Sequence, residues 1–91
     1  MEFKQLEMFV SVAEERSMQR AAARVFRTQP AVSMAISKLE EEAGGPLFLR
    51  SRRERFSLTG HGEILYRYAK RLLALRDEAA IAIERPQIGS R

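Results

Sequence analysis

The chain contains no cysteine. Disulfides and thiolate metal sites are therefore excluded, which fits a reducing cytoplasm. Its single histidine, His61, has no second histidine or cysteine with which to build a zinc site. It reads as an exposed residue in the first turn of a helix, and no metal site is assigned. No apolar run approaches the roughly 20 residues needed to span a bilayer, so no membrane partner is expected. The opening Met-Glu-Phe-Lys lacks the charged and apolar regions of a secretion signal, and the expected location is cytoplasmic. There is no Gly-x-Ser-x-Gly nucleophile motif and no glycine-rich phosphate loop. No residue is therefore assigned a catalytic role, and the chain is not expected to be an enzyme. Internal repeats and low-complexity segments are also missing.

What is present is basic charge, unevenly placed. A length of 91 residues allows one small domain with a thin core. Sixteen basic residues oppose twelve acidic ones, for a formal charge of +4. Thirteen of the sixteen are arginine, which binds phosphate and guanine edges bidentately. Arg50, Arg52, Arg53 and Arg55 surround one acid, Glu54, whereas acids gather at Glu14–Glu15 and Glu40–Glu42. Such patchiness suggests a basic surface facing a polyanion.

Apolar spacing predicts four helices. Residues 3–15 place Leu6, Phe9, Val10 and Ala13 on one face, with Phe3 and Met8 adding apolar surface. Ser17 is a plausible N-cap for a second helix over residues 18–25, with Met18, Ala22 and Val25 inward. Thr28 caps a third, with Pro30 in its first turn, where a missing N–H costs nothing. Val32, Ile36, Leu39 and Ala43 form its apolar stripe, and Gly44 followed by Pro46 ends it. The second and third helices form a helix-turn-helix pattern, although the turn at Phe26-Arg27 lacks the usual glycine. Leu47-Phe48-Leu49 and Phe56-Ser57-Leu58 flank the arginine cluster as a small hairpin, or wing, with a basic tip. No Asn-Gly or Asp-Gly marks its turn. Thr59 caps a fourth helix to about Glu84. Leu65, Tyr68, Leu72, Leu75, Ala79 and Ala82 recur on it in steps of three and four, a seam of heptad type with the first five as the dimerisation candidates. A helix this long outruns so small a core, so its far end is expected to pack on another chain. Pro86 stops it.

The third helix carries the most specific signal. Its outer face presents Pro30, Ser33, Met34, Ser37 and Glu41. Small and hydrogen-bonding side chains there suit a major groove better than they suit simple solvation. The amide of Gln29 can pair bidentately with adenine, and free backbone N–H groups at this helix start suit a phosphate. Pro30 and Ala31 either meet thymine methyls or simply open the helix. Ser33 and Ser37 can reach a base edge or a phosphate, and Thr28 can combine capping with a phosphate contact. Met34 can touch a thymine methyl but cannot bond guanine bidentately. Arg20, Arg24, Arg27 and Lys38 are further phosphate candidates, some of which will pair with Glu14–Glu15 or Glu40–Glu42 instead. The wing arginines can follow the backbone or enter a narrow minor groove.

The ordered set of motifs resembles the N-terminal DNA-binding domain of LysR-type transcriptional regulators. It comprises Phe3-Lys4-Gln5-Leu6, Phe9-Val10, Ala21-Ala22-Ala23, Thr28-Gln29-Pro30-Ala31-Val32-Ser33, Ile36-Ser37-Lys38-Leu39-Glu40, Pro46-Leu47-Phe48 and Leu58-Thr59 with Gly62. The resemblance implies a mainly α fold with a small β-hairpin wing: a winged helix-turn-helix over 1–58 and a linker helix over 59–85. Residues 86–91 would be disordered or begin a hinge. It also implies double-stranded DNA as partner and an antiparallel homodimer through the linker helices, with higher oligomers in a full-length protein. No cofactor is expected in this chain; a small-molecule effector would bind a domain beyond it, making the chain an N-terminal fragment. Three positions depart from the family pattern. The wing tip has no glycine, Met34 stands where relatives often carry a basic or amide residue, and Gly45 replaces a branched residue at the entry to the wing. A second reading makes the winged helix a protein-interaction module that uses the fourth helix.

Overall fold

The computed structural model describes residues 1–49 and 56–85. In order these form α1 (Phe3–Glu15), α2 (Met18–Arg24), α3 (Gln29–Ala43), β1 (Phe48–Leu49), β2 (Ser57–Leu58) and α4 (Gly60–Glu84). The two strands pair antiparallel, Phe48 opposite Leu58 and Leu49 opposite Ser57. This is a winged helix-turn-helix with a long C-terminal helix. The wing residues Arg50, Arg52, Arg53 and Arg55, and the tail over 86–91, lie outside the described residues.

Side-chain caps set the starts of three helices. Ser17, Thr28 and Thr59 each accept a hydrogen bond from the backbone N–H three residues on, at Arg20, Ala31 and Gly62. Two of the helix ends use left-handed residues. Gly44 closes α3 at φ 82°, and Arg16 closes α1 at φ 55°. Between α2 and α3 the turn needs a third left-handed residue, and Phe26 supplies it at φ 57°. The glycine expected of a helix-turn-helix is thus replaced by a strained residue, at a cost of roughly 1–2 kcal/mol. The Phe26 ring is left 92% exposed.

Helix α1 is the hub of the core. Leu6, Phe9, Val10 and Val12 are buried against Ala21 and Ala22 of α2, Val32, Ile36 and Leu39 of α3, and Ala69 of α4. Because α2 and α3 cover one flank and α4 another, the buried arc of α1 is wider than one amphipathic stripe. That is why Val12 and Ser11 join it. The Ser11 hydroxyl is satisfied inside the core, donating to the Ala21 carbonyl at 3.1 Å.

The base of the wing is locked onto this core. The Phe9 and Phe48 rings are 5.3 Å apart, and Phe56 meets Phe48 edge-on at 5.7 Å. The entry to the wing is braced despite Gly45. The Leu47 N–H donates to the Glu40 carboxylate at 2.9 Å, and the Thr59 hydroxyl donates to the Pro46 carbonyl at 2.7 Å. The Thr59 N–H donates to the Leu47 carbonyl at 3.0 Å. One residue therefore caps α4 and anchors the strand leading into the wing.

Candidate nucleic-acid interface

Burial of Val32, Ala35, Ile36 and Leu39 fixes the roll of α3 on the core. Thr28, Gln29, Pro30, Met34, Ser37 and Lys38 are consequently exposed, while Ala31 and Ser33 are half-buried. The outer face keeps the composition read from the sequence and carries little charge. The wing arginines assigned with it lie outside the described residues.

Ion pairing sorts the remaining cations. Arg20 and Arg24 turn back to Glu15 and Glu14, so they are tied up within the fold. Lys4, Arg27 and Lys38 have no ion-pair partner among the described residues. Arg27 and Lys38 flank α3 at its start and in its third turn, available to an external anion.

Glu14 ties three helices together. Its carboxylate accepts hydrogen bonds from the Tyr66 hydroxyl, from Arg24 at 2.8 Å and from Lys70 at 3.0 Å. The Tyr66 bond, then Arg24 and Lys70, outweigh burial and hold the carboxyl at about 2, below its usual 4.5. In turn the carboxylate, helped by burial, pushes the Tyr66 hydroxyl upward. Because the folded value is depressed, the stabilisation is complete above pH 4.5 and is lost as pH falls toward 2. Glu14→Gln should lower stability by roughly 1–2 kcal/mol at pH 7, after allowance for solvent screening at the surface. Urea midpoints measured against pH should show the gap between the two proteins closing over that acid range.

A groove of about 500 Å³ runs beside α4 and is lined in part by Glu7, Arg24, Lys70 and Arg76. Its cations are already paired, Arg76 with Glu7 at 2.6 Å and the other two with Glu14. It offers no free charge to an anionic ligand.

Helix α4 divides into two faces. Gly62 and Ala69 are buried, and Leu65, Tyr66 and Leu73 pack against the core. Leu65, placed on the seam from its spacing, is therefore engaged within its own chain. Ile64, one residue earlier, lies on the open stripe with Tyr68, Leu72, Leu75 and Ala79. Tyr68 and Leu75 are 53% and 59% exposed, so the stripe presents large apolar side chains to solvent, a feature that marks interaction surfaces where such side chains are contiguous. From Asp77 to Arg85 every residue is exposed.

The sequence profile of bacterial regulatory helix-turn-helix proteins of the lysR family matches residues 3–63. The chain belongs to that family. Among LysR-family relatives, a probable RuBisCO transcriptional regulator of Cyanidioschyzon merolae is 42% identical over 80 residues, covering 88% of this chain and 26% of the relative. The HTH-type transcriptional regulator BudR of Klebsiella aerogenes is 47% identical over 79 residues, covering 87% and 54%. The chain thus spans between about a quarter and about half of these relatives' lengths. A crystal structure of the BenM DNA-binding domain with catB site 1 DNA superposes with a TM-score of 0.87 at 38% identity, covering 93% of this chain and 94% of that one.

Three features of the site had no local signal in the sequence. The bonding of Glu14 to Tyr66 and Lys70 joins residues more than 50 positions apart. Gly62 is buried against the Leu47 carbonyl. Lys4 and Met8 of α1 line a cleft with Met34 of α3. Each depends on how α1 packs, which no single helix pattern encodes.

Proposed function

We propose that this chain is the sequence-specific DNA-binding part of a transcription regulator. It acts as a homodimer, with the two α3 helices in successive major grooves of a pseudo-palindromic site and the wings over the flanking minor grooves. The observation that carries the reading is the outer face of α3: exposed, little charged, bordered by Arg27 and Lys38, which have no ion-pair partner among the described residues, and set in a fold that superposes on a DNA-bound relative. Gln29, Pro30, Ala31, Ser33 and Met34 face the bases. Thr28, Ser37, Lys38 and the wing arginines Arg50, Arg52, Arg53 and Arg55 hold phosphates and set register. The open stripe of α4 pairs with the same stripe of a second copy, which accounts for its exposed leucines. A small-molecule effector bound by a further domain of the intact protein would modulate transcription, and that domain would add any higher assembly.

Binding-site selection from random duplex, followed by salt titration, tests this reading. The log–log slope should be about −0.9 per neutralised phosphate. Gln29→Ala should cost about 1–2 kcal/mol on the selected site and relax preference at one base pair, with random DNA little affected. Equal losses on selected and random DNA would remove Gln29 from base readout. Failure to bind any duplex at low salt would overturn the DNA reading and leave α4 as the binding surface of a protein-interaction module.

A further inference from the structure

We infer that the cleft between α1 and α3 reads the 5-methyl group of a thymine, with Met34 as the contact and Lys4 and Lys38 on the neighbouring phosphates. The inference rests on the DNA-binding reading and gives one part of that surface its chemistry.

Met34 is 65% exposed on the outer face of α3. A thioether neither donates to a base edge nor accepts strongly from one. The apolar group that a base presents in the major groove is the thymine methyl. Met34 is also not a lone exposed side chain. With Ala31 and Ala35 of α3 and Met8 of α1 it lines a cleft of about 300 Å³. Unbranched methionines adapt their shape to a small apolar group, so two of them can close around a methyl.

Charge decides between possible occupants. Lys4 and Lys38 also line the cleft, both are exposed, and neither has an ion-pair partner among the described residues. Glu2 is the one acid along it, and its backbone N–H is held by the Gln5 side chain at 3.0 Å in the first turn of α1. An apolar floor between two unpaired cations matches a methyl flanked by phosphates better than an apolar peptide. The cleft is also continuous with the face of α3 that carries Gln29, Ser33 and Ser37. Lys4 is thereby added to the phosphate contacts, and α1 to the elements that touch DNA.

The test uses the whole chain and a duplex selected from random DNA. Each thymine is replaced in turn by deoxyuridine, which removes the 5-methyl and nothing else, and affinity is read by fluorescence anisotropy. At one thymine in each half of the site, deoxyuridine should weaken the unaltered protein by roughly threefold to tenfold. Met34→Ala should bind the thymine and deoxyuridine duplexes equally, at the level of the unaltered protein on deoxyuridine, whereas Met34→Leu should keep most of the discrimination. Lys4→Gln should weaken every duplex alike and reduce the salt slope by about one contact, leaving the thymine-to-deoxyuridine ratio unchanged. The inference is overturned by a selected site without thymine, by equal binding at every replaced position, or by discrimination that survives Met34→Ala. Absence of binding to any duplex at low salt would instead sink the DNA reading on which it stands.

Discussion

Gly62→Ala should destabilise the domain by about 3 kcal/mol or more, enough to unfold much of a chain this small. A Cβ placed at Gly62 would lie 2.1 Å from the Leu47 carbonyl oxygen and 3.1 Å from its carbonyl carbon. Both are backbone atoms, and that carbonyl is held by the Thr59 N–H, so it cannot swing aside as a side-chain tip would. Relief requires α4 to lift off the base of the wing, breaking the Thr59 cap and exposing Leu47 and Phe48. Gly60, two residues earlier in the same turn, is the matched control. A side chain there meets nothing within 4 Å, and Gly60→Ala should be neutral or stabilising by about 0.4–1 kcal/mol. Urea denaturation of both variants separates steric exclusion from helix propensity. Similar midpoints for the two would refute the close-approach account.

Leu72→Glu should raise the dimer dissociation constant by at least about 100-fold while leaving the monomer folded. Leu72 is 39% exposed in the isolated chain, between Tyr68 and Leu75 on the open stripe. Two-fold pairing brings each such position into the interface twice, so one substitution introduces two carboxylates into an apolar seam. Within its own chain the same residue faces water, where a helical glutamate is well tolerated. Sedimentation should find a monomer with an unchanged circular dichroism spectrum, and affinity for a full two-fold site should fall toward that of one half. A persistent dimer would move the interface to another face of the chain.

Much of the fold was legible in the sequence because its devices are local. Ser17, Thr28 and Thr59 cap within three residues, Gly44 ends α3 beside Pro46, and apolar spacing brackets each helix to within about a residue. The strands were readable from the apolar segments around the arginine cluster. What escaped depends on tertiary packing. Phe26 takes a conformation usually left to glycine, and no rule based on residue type finds it. Leu65 and Ile64 are both apolar and adjacent, so spacing alone could not decide which faces the core; the position of α1 decides it. Arg24 was a phosphate candidate by charge and position, but Glu14 claims it across a helix interface that the sequence does not display. The exposure of Gln29, Pro30, Met34 and Ser37 on α3 was legible from their spacing against its apolar stripe, whereas the cleft that Met34 shares with Lys4 and Met8 of α1 was not.

The Thr59 hydroxyl bonds both to Pro46, ahead of the wing, and to Gly62, inside α4. Glu14 fastens the same helix to α1 and α2 one turn later. These bonds brace the head against its shaft at the joint. A shaft of 25 residues is about 37 Å long. A pivot of about 10° between two paired shafts would thus carry each head through roughly 6 Å, nearly two base-pair steps of B-DNA. In the proposed dimer, the angle at which two α4 helices cross would set the distance between the sites that the heads can grip, as in a pair of calipers.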